Sequence, residues 1–478
     1  MLLQVLTDSD RHEIHERSLK VLSRTGVRVD TGRGRAILRD AGAHVDENTH
    51  IVHFPRALVE EALRLTPKKF SLGGRRTGWR LNMNEGECTL LADGGALFVV
   101  DAESGERRPG TYEDWLKSTQ LIDGLDEIGV YWWMIRESAG AVKMRDVVSY
   151  YRNVFKHFTK HVQDSTDNPA QTRWLLEVLQ TVFGGRKAVR RLRPLSFLLC
   201  PLSPLAIESE YTDAYLETVG WDIPVAVMPM PLMGTTGPGR LAATALLGNC
   251  EVLAMLCLVQ AAQPGTPFLY APALAVIEPR TGRYAGGAVE HALLGAAAVE
   301  MARYYGLPVE ATTGGSDHHL PGIQAAYERA INWTLPTMAW PDILVGPGLF
   351  DGSTVLSYEQ IIIDVEIFRR CKRLRMGIST GEDCWLDDVI ERVGPGGNYL
   401  VQRSTRDALR AGEWFISKYG EHDSYDRWVM QGKPDAVAEA RARIKEILAT
   451  RQPLPLDEHI ERELDHIERM ALESELKR

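Results

Sequence analysis

The sequence predicts an α/β fold, a parallel (β/α)8 barrel carrying an N-terminal α+β elaboration and C-terminal helices. Three observations predict it. Seven short apolar runs (127–135, 154–162, 195–203, 223–231, 266–274, 307–314 and 342–348) alternate with stretches of helical pattern. Each gap has room for one helical crossover, and strands joined that way lie parallel. The count comes close to eight, with the last strand expected short or irregular near 350–380. The chain also lacks the GxGxxG turn that an open, doubly wound sheet typically carries after its first strand.

Taken in order, DSDRHEIHERSLKVLSRT (8–25) reads as a capped helix with Ile14, Leu19, Val21 and Leu22 on its inner side. Residues 32–43 and 55–65 read as two more helices, with Pro55 early in the second, where its missing N–H costs nothing. Residues 68–100 break into apolar runs cut by Gly, the pattern of a small antiparallel sheet. Thr111 with Asp114 caps a further helix. The boundaries expected are therefore 1–118 for the elaboration, 119–380 for the barrel and 381–478 for the helical extension. The charged tail 457–478 has an amphipathic pattern suited to packing or self-association.

Composition excludes several classes. With 478 residues the chain suits one large barrel with additions, and 25% charged against 44% hydrophobic residues is ordinary for a globular protein. A net charge of −9 without a Lys/Arg block argues against nucleic acid. The N-terminus lacks the layout of a signal peptide, and no apolar run is expected to approach the ~18 residues of a membrane helix. The six cysteines show no CxxC spacing and fit a reducing cytoplasm.

In such a barrel the chemistry sits where the strands end. That rule selects Trp133 and Arg136 from the first recognisable strand, and His157, Thr159 and His161 from the second. It selects Gly234 and Thr235 after the fourth, and Tyr270 from the fifth. Glu310, Asp317, His318 and His319 belong to the sixth, and Phe350 follows the seventh. The densest titratable set is in LPVEATTGGSDHHLPGIQAAYE (307–328), which reads as strand, polar loop and helix. Aromatic mouths suit an alkylammonium cation, whose methylated nitrogen neither donates nor accepts a hydrogen bond. The same rings could equally be barrel core. The PMPLMGTTGPGR loop (229–240) precedes a helix and could offer N–H groups to an anion, or be an ordinary turn. Adjacent histidines point apart and no HExxH pattern supports them, so no metal ligand is assigned. One histidine held by Asp317 suits hydrogen bonding or proton transfer.

Several segments carry a resemblance to a known family. They include DAESGERRPGTYEDW (101–115), PMPLMGTTGPG (229–239), QPGTPFLYAP (263–272), DHHLPGIQAAYE (317–328), SYEQIIIDVEI (357–367) and VGPGGNYL (393–400). With them the chain resembles the trimethylamine methyltransferase family, in particular members that lack pyrrolysine and act on quaternary amines such as glycine betaine. The resemblance covers about residues 10–450. It implies a TIM-type barrel and methyl transfer to the cobalt of a corrinoid (cobalamin) carried by a separate corrinoid protein. A homo-oligomer is also implied. In the trimethylamine enzyme a pyrrolysine occupies the loop equivalent to DHHLPG, where this chain has His318 and His319. From it follow the expected roles: Trp133, Tyr270 and Phe350 in a cation cage, with His157 and His318 also at the substrate. His319, Gly234 and Thr235 would hold the polar end. Glu310 would balance the ammonium charge and Asp317 would hold a histidine. The alternatives are a metal-assisted hydrolase or lyase built on the same acid and histidines, and a non-catalytic quaternary-amine-binding relative.

Overall fold

The structure, a computed structural model, describes residues 4–136, 147–451 and 454–476. Eight short parallel strands form its centre. They are β1 (Thr89–Leu91), β2 (Ile128–Tyr131), β3 (His161–Asp164), β4 (Leu195–Leu199), β5 (Val225–Val227), β6 (Phe268–Tyr270), β7 (Glu310–Thr312) and β8 (Ile343–Val345). They pair in chain order from β1 to β6; β7 pairs with β8, and β8 returns to β1. A parallel bridge between Tyr270 and Val309 joins β6 to β7 and closes the ring. The sequence expectation of a (β/α)8 barrel is met.

Strand residues alternate between two cores, because successive Cβ atoms leave opposite faces of a strand. Phe197, Val225, Val227, Tyr270, Ala311 and Leu344 face the surrounding helices. Leu91, Val130, Leu198, Ala226, Leu269 and Val345 belong to a separate cluster inside the barrel. Both faces are thus apolar, as parallel strands covered by helices require.

Helices α1 (Asp8–Arg24), α2 (Gly32–Asp40) and α3 (Arg56–Leu65) precede the barrel. A reciprocal capping box between Thr7 and Asp10 starts α1. The antiparallel hairpin Phe70–Gly73 with Arg80–Met83 puts Leu72, Leu81 and Met83 into the interior cluster. It closes the barrel at the end where the strands begin, and among the described residues the opposite end is the mouth.

Around the strands run α4 (Tyr112–Asp123), α5 (Val147–His157), α6 (Pro169–Phe183), α7 (Arg186–Leu192), α8 (Glu210–Leu216), α9 (Leu241–Ala262), α10 (Val289–Tyr304), α11 (Ile323–Ala339) and α12 (Tyr358–Met376). Helix α9 corrects one expectation. It is long and apolar enough to cross a membrane, but 83% of its most apolar window is buried inside the fold. Buried polar groups fix it there: Asn249 donates to Ser18 Oγ at 2.8 Å and to the Tyr305 hydroxyl at 3.0 Å, and accepts from the Tyr270 hydroxyl at 2.9 Å. These bonds tie α1, α9, α10 and β6 together.

Two strands differ from the sequence reading. The eighth strand is not near 350–380; it is β1, inside the stretch expected to precede the barrel. Gly94, Gly95 and the brevity of the run disguised it as part of a hairpin sheet. The run 154–162 is mostly the end of α5, and β3 starts only at His161. Its aromatic and β-branched content reads as strand, but the apolar side of a buried helix has the same composition. Residues 349–356 instead pair in a four-stranded sheet at the rim with Phe98–Val100 and Arg107–Pro109.

Beyond the barrel lie α13 (Asp387–Val393), α14 (Arg403–Arg410), α15 (Tyr425–Met430), α16 (Ala436–Thr450) and α17 (Glu458–Leu476). Helix α16 packs on α12 and α4, and α17 on α5 and α6. Arg152 meets Asp465 at 2.5 Å and Lys156 meets Glu461 at 3.0 Å. The charged tail is therefore held against its own barrel.

Candidate active site

The site begins with one carboxylate inside the barrel. Glu310 is the first residue of β7, its neighbours Val309 and Ala311 belong to the outer core, and its own side chain turns inward. It is 0% exposed. Gln163 reaches it from β3 on the opposite wall, donating from Nε2 to Glu310 Oε2 at 2.8 Å. Trp132, just beyond β2, donates its indole N–H to Gln163 Oε1 at 2.9 Å. That bond fixes which end of the amide carries oxygen and presents the NH2 to the acid. The second carboxylate oxygen, Glu310 Oε1, has no hydrogen-bond partner, nor has the buried hydroxyl of Thr312 two residues on.

Burial dominates the electrostatics here. Removing a carboxylate from water disfavours its charged form. Glu310 is pushed up from 4.5 to about 7 despite the opposing Gln163 hydrogen bond. Cys200 is raised to about 12, by burial and then by the nearby Glu310 charge. The remaining wall is supplied by Leu198, Ala226, Met228, Leu269, Ala271 and Val345. Among the described residues, no Lys or Arg projects inward from the eight strands.

A neutral floor lies below. His161 is fully buried, with Nδ1 3.2 Å from Gly73 O and Nε2 2.9 Å from Ser196 Oγ. A carbonyl only accepts, so Nδ1 carries the proton and Nε2 accepts from the serine. Burial lowers this histidine to about 4, so it stays uncharged at neutral pH.

The rim is clamped by α11 and α12. Glu328 accepts from Ser316 Oγ at 2.6 Å and from the Asp317 N–H at 3.0 Å, ordering the loop after β7. Gly314 sits at φ +69°, and a Cβ there would lie 2.3 Å from Gly286 O, so only glycine fits. Arg329 is fully buried and donates to Gly346 O and Leu349 O in the loop after β8. It pairs with buried Asp364 at 3.5 Å, which in turn accepts from the Gly348 N–H at 2.7 Å. After β1, Asp93 accepts from Ser353 Oγ at 2.8 Å.

Of the residues selected from sequence, Glu310 and His161 stand in the interior. Asp317 is half-buried on the rim, where burial raises it and the Gly287 and Gly286 N–H groups oppose that. His318 bonds Leu320 O at 2.9 Å within its own turn, and His319 is exposed. Trp133 points outward, with Arg136 5.0 Å from its ring centre. Tyr270 also points outward, to Asn249. Phe350 packs with Val100, Ala325 and Val355 in the rim sheet. His157 ends α5, at the end of the barrel away from the mouth, with Trp115 against it. At Gly234 and Thr235 the N–H groups are used inside the turn, bonding Gly237 O and Leu232 O. The expected cage of Trp133, Tyr270 and Phe350 does not converge, nor do His157, Gly234 and Thr235 join it. Trp132, Gln163, Cys200 and Met228 were missed. The signal for Trp132 was strand parity, since it is two residues from inward-facing Val130.

A sequence model of the family described as trimethylamine methyltransferase (MTTB) matches residues 1–473. The trimethylamine methyltransferase MttB of Desulfitobacterium hafniense is 27% identical over 95% of this chain and 91% of its own. The corresponding protein of Methanosarcina thermophila is 28% identical over 96% and 95%. A glycine betaine methyltransferase of Desulfitobacterium hafniense is 27% identical, again over 96% and 95%. Among solved structures, the monomethylamine methyltransferase of Methanosarcina barkeri superposes with a TM-score of 0.50 at 10% identity, covering 92% of each chain. That likeness is one of fold.

Proposed function

Since the chain belongs to the trimethylamine methyltransferase family, we propose that it moves a methyl group from a quaternary amine to a corrinoid carried by a separate protein. Glycine betaine or a related betaine is the substrate class favoured by the betaine-using relative. One observation carries the reading: a buried carboxylate with one unpaired oxygen, Glu310, in a barrel interior walled largely by apolar side chains. That arrangement suits a methylated ammonium, which needs an opposite charge and apolar walls but offers no hydrogen-bond donor.

The methyl acceptor arrives on the docking protein and supplies the nucleophile when bound. This chain's residues do the rest. Gln163 holds Glu310 through Oε2 and leaves Oε1 toward the cation. Trp132 fixes Gln163 and offers its ring to the ammonium. Met228, Leu198 and Leu269 exclude water, which strengthens the charge pairing and keeps the methyl carbon dry. A quaternary nitrogen leaves as a neutral tertiary amine, so no proton has to move. Glu310 therefore acts as an anion and not as an acid or base. Asp317, His318 and His319 are rim groups, placed where the docking protein arrives over the strand ends. The six unpaired cysteines suit a reducing cytoplasm.

Calorimetric titration with tetramethylammonium, glycine betaine, carnitine, proline betaine and trimethylamine tests this. Binding of a quaternary amine, followed by its use in a cobalamin methylation assay, is expected. Failure of every quaternary amine to bind, or binding unchanged in Glu310→Gln, refutes it.

A further inference from the structure

One acid at the barrel mouth has no part in the reading above. Leu91 of β1 pairs with Val130 of β2, which also pairs with His161 of β3. Leu91, Val130 and His161 face the interior, and inward positions recur at every second residue of a strand. The next inward set is therefore Asp93, Trp132 and Gln163. Gln163 holds Glu310, so Asp93 stands at the level of the cation site. Its surroundings agree with that placement. A Cβ on Gly94 would lie 3.2 Å from Trp132 Cβ. The Tyr284 phenol, on the loop after β6, is close enough for the Asp93 charge to act on it. Asp93 is enclosed by protein yet keeps accessible surface, as a side chain lining a cavity does.

The Asp93 carboxylate is held but not used up. Oδ2 accepts from Ser353 Oγ at 2.8 Å, and Oδ1 from the Gly94 N–H at 2.9 Å. A carboxylate has about four acceptor sites, so each oxygen keeps room for another donor. Ser353 holds its end from φ +65°, a left-handed conformation that is costly for a residue other than glycine. Burial raises the Asp93 carboxyl, and the Ser353 hydroxyl and the Arg329 charge oppose this. A methylated ammonium has no N–H to give, so it balances charge without filling the free acceptor sites. A substrate carboxylate does not fill them either. It shares the sign of Asp93 and Glu310, and like charges placed together repel. Among the described residues no Lys or Arg projects inward from the strands to offset that.

We propose that Asp93 is a specificity-determining residue that accepts a hydrogen bond from a hydroxyl on the substrate, so that the amine used is a hydroxylated one. The inference rests on the quaternary-amine reading and narrows it. Chemistry sets the position of the hydroxyl. On the carbon that bears the nitrogen it would expel the amine, so the next carbon is the first stable place. The class is then a β-hydroxyalkyl trimethylammonium. A betaine of this class carries its carboxylate further along the chain and can point it out through the mouth. Glycine betaine, with one carbon between nitrogen and carboxylate, has to keep both charges inside. A hydrogen bond to a charged acceptor separates a hydroxyl from a methyl group in its place by roughly tenfold or more.

The test is calorimetric titration of the full chain with choline, with propyltrimethylammonium, in which a methyl group replaces the hydroxyl, and with tetramethylammonium. Wild type is expected to bind choline roughly tenfold or more tighter than propyltrimethylammonium. Asp93→Ala is expected to bind those two alike. Loss of the Asp93 charge weakens every cation together, so the ratio of the two affinities reports the hydrogen bond. Equal affinities in wild type overturn the proposal, as does a preference for choline that survives in Asp93→Ala. Should that variant fail to fold, wild type titrated with carnitine and with its analogue lacking the hydroxyl decides the matter. A clear preference for carnitine supports the proposal and equal binding overturns it. Tetramethylammonium separates the two levels of the argument. If it binds and the hydroxyl brings no preference, this inference alone falls; if it does not bind wild type, the quaternary-amine reading falls and this inference with it.

Discussion

Replacing Glu310 with Gln separates the energetic cost of the site from its use. The carboxyl is raised from 4.5 to about 7 by burial. Between those values the folded protein binds a proton that the unfolded chain has released. Stability therefore falls as pH rises through that window and is flat above it. At ~1.4 kcal/mol per unit, the loss amounts to about 3 kcal/mol at pH 8. Glutamine fills the same space without the charge. The variant is expected to match wild type at about pH 4.5 and to exceed it by about 3 kcal/mol above neutrality. With ~2.1 cal/mol/K of unfolding entropy per residue, that is a rise of about 3 °C in Tm. Scanning calorimetry across the pH range measures it, and titration with tetramethylammonium supplies the second readout. The stabilised variant should no longer bind the cation, as expected where strain at a site serves its function. A variant whose Tm advantage does not grow between pH 5 and 8 would refute the burial argument. One that binds the cation normally would refute the charge pairing.

The remaining expectations concern the surroundings of that carboxylate. Wild-type affinity for tetramethylammonium should fall roughly tenfold per unit below about pH 7, because only ionised Glu310 attracts it; affinity rising in acid counts against the assignment. Trp132→Ala should weaken binding on the order of tenfold, while Trp133→Ala changes it little, both read by titration. Tyr270→Phe should leave binding intact but cost about 1–3 kcal/mol in denaturant melts, since it strands buried Asn249 Oδ1. Arg329→Met should cost about 3–5 kcal/mol by leaving Asp364 buried and unpaired, also read by denaturant melts.

The barrel was legible because its helices and strands alternate at the right spacing, and Glu310 because a lone acid in an apolar run invites a reason. The faces were not legible. Strands of three to five residues, apolar on both sides, carry no period from which inside and outside can be told. Trp132 and Trp133 illustrate the consequence: adjacent, chemically identical, one facing the interior and the other the helices. Gln163 was lost for a different reason: the expected strand 154–162 is mostly the end of α5 and stops one residue short of it, while the true strand β3 (HVQD) is too short and too polar to stand out. His318 and His319 were conspicuous for being adjacent titratable groups, but the loop that carries them is ordered by Glu328 and not by any contact with the interior.

The hairpin that seals one end of the barrel has a kinetic consequence for the proposed function. With one open end among the described residues, an amine and a macromolecular methyl acceptor would share a single doorway. The amine would then have to enter before the doorway is covered, and the demethylated product would wait until it is uncovered. Turnover on that proposal would be compulsorily ordered, and an excess of acceptor protein would slow it by occupying the empty enzyme.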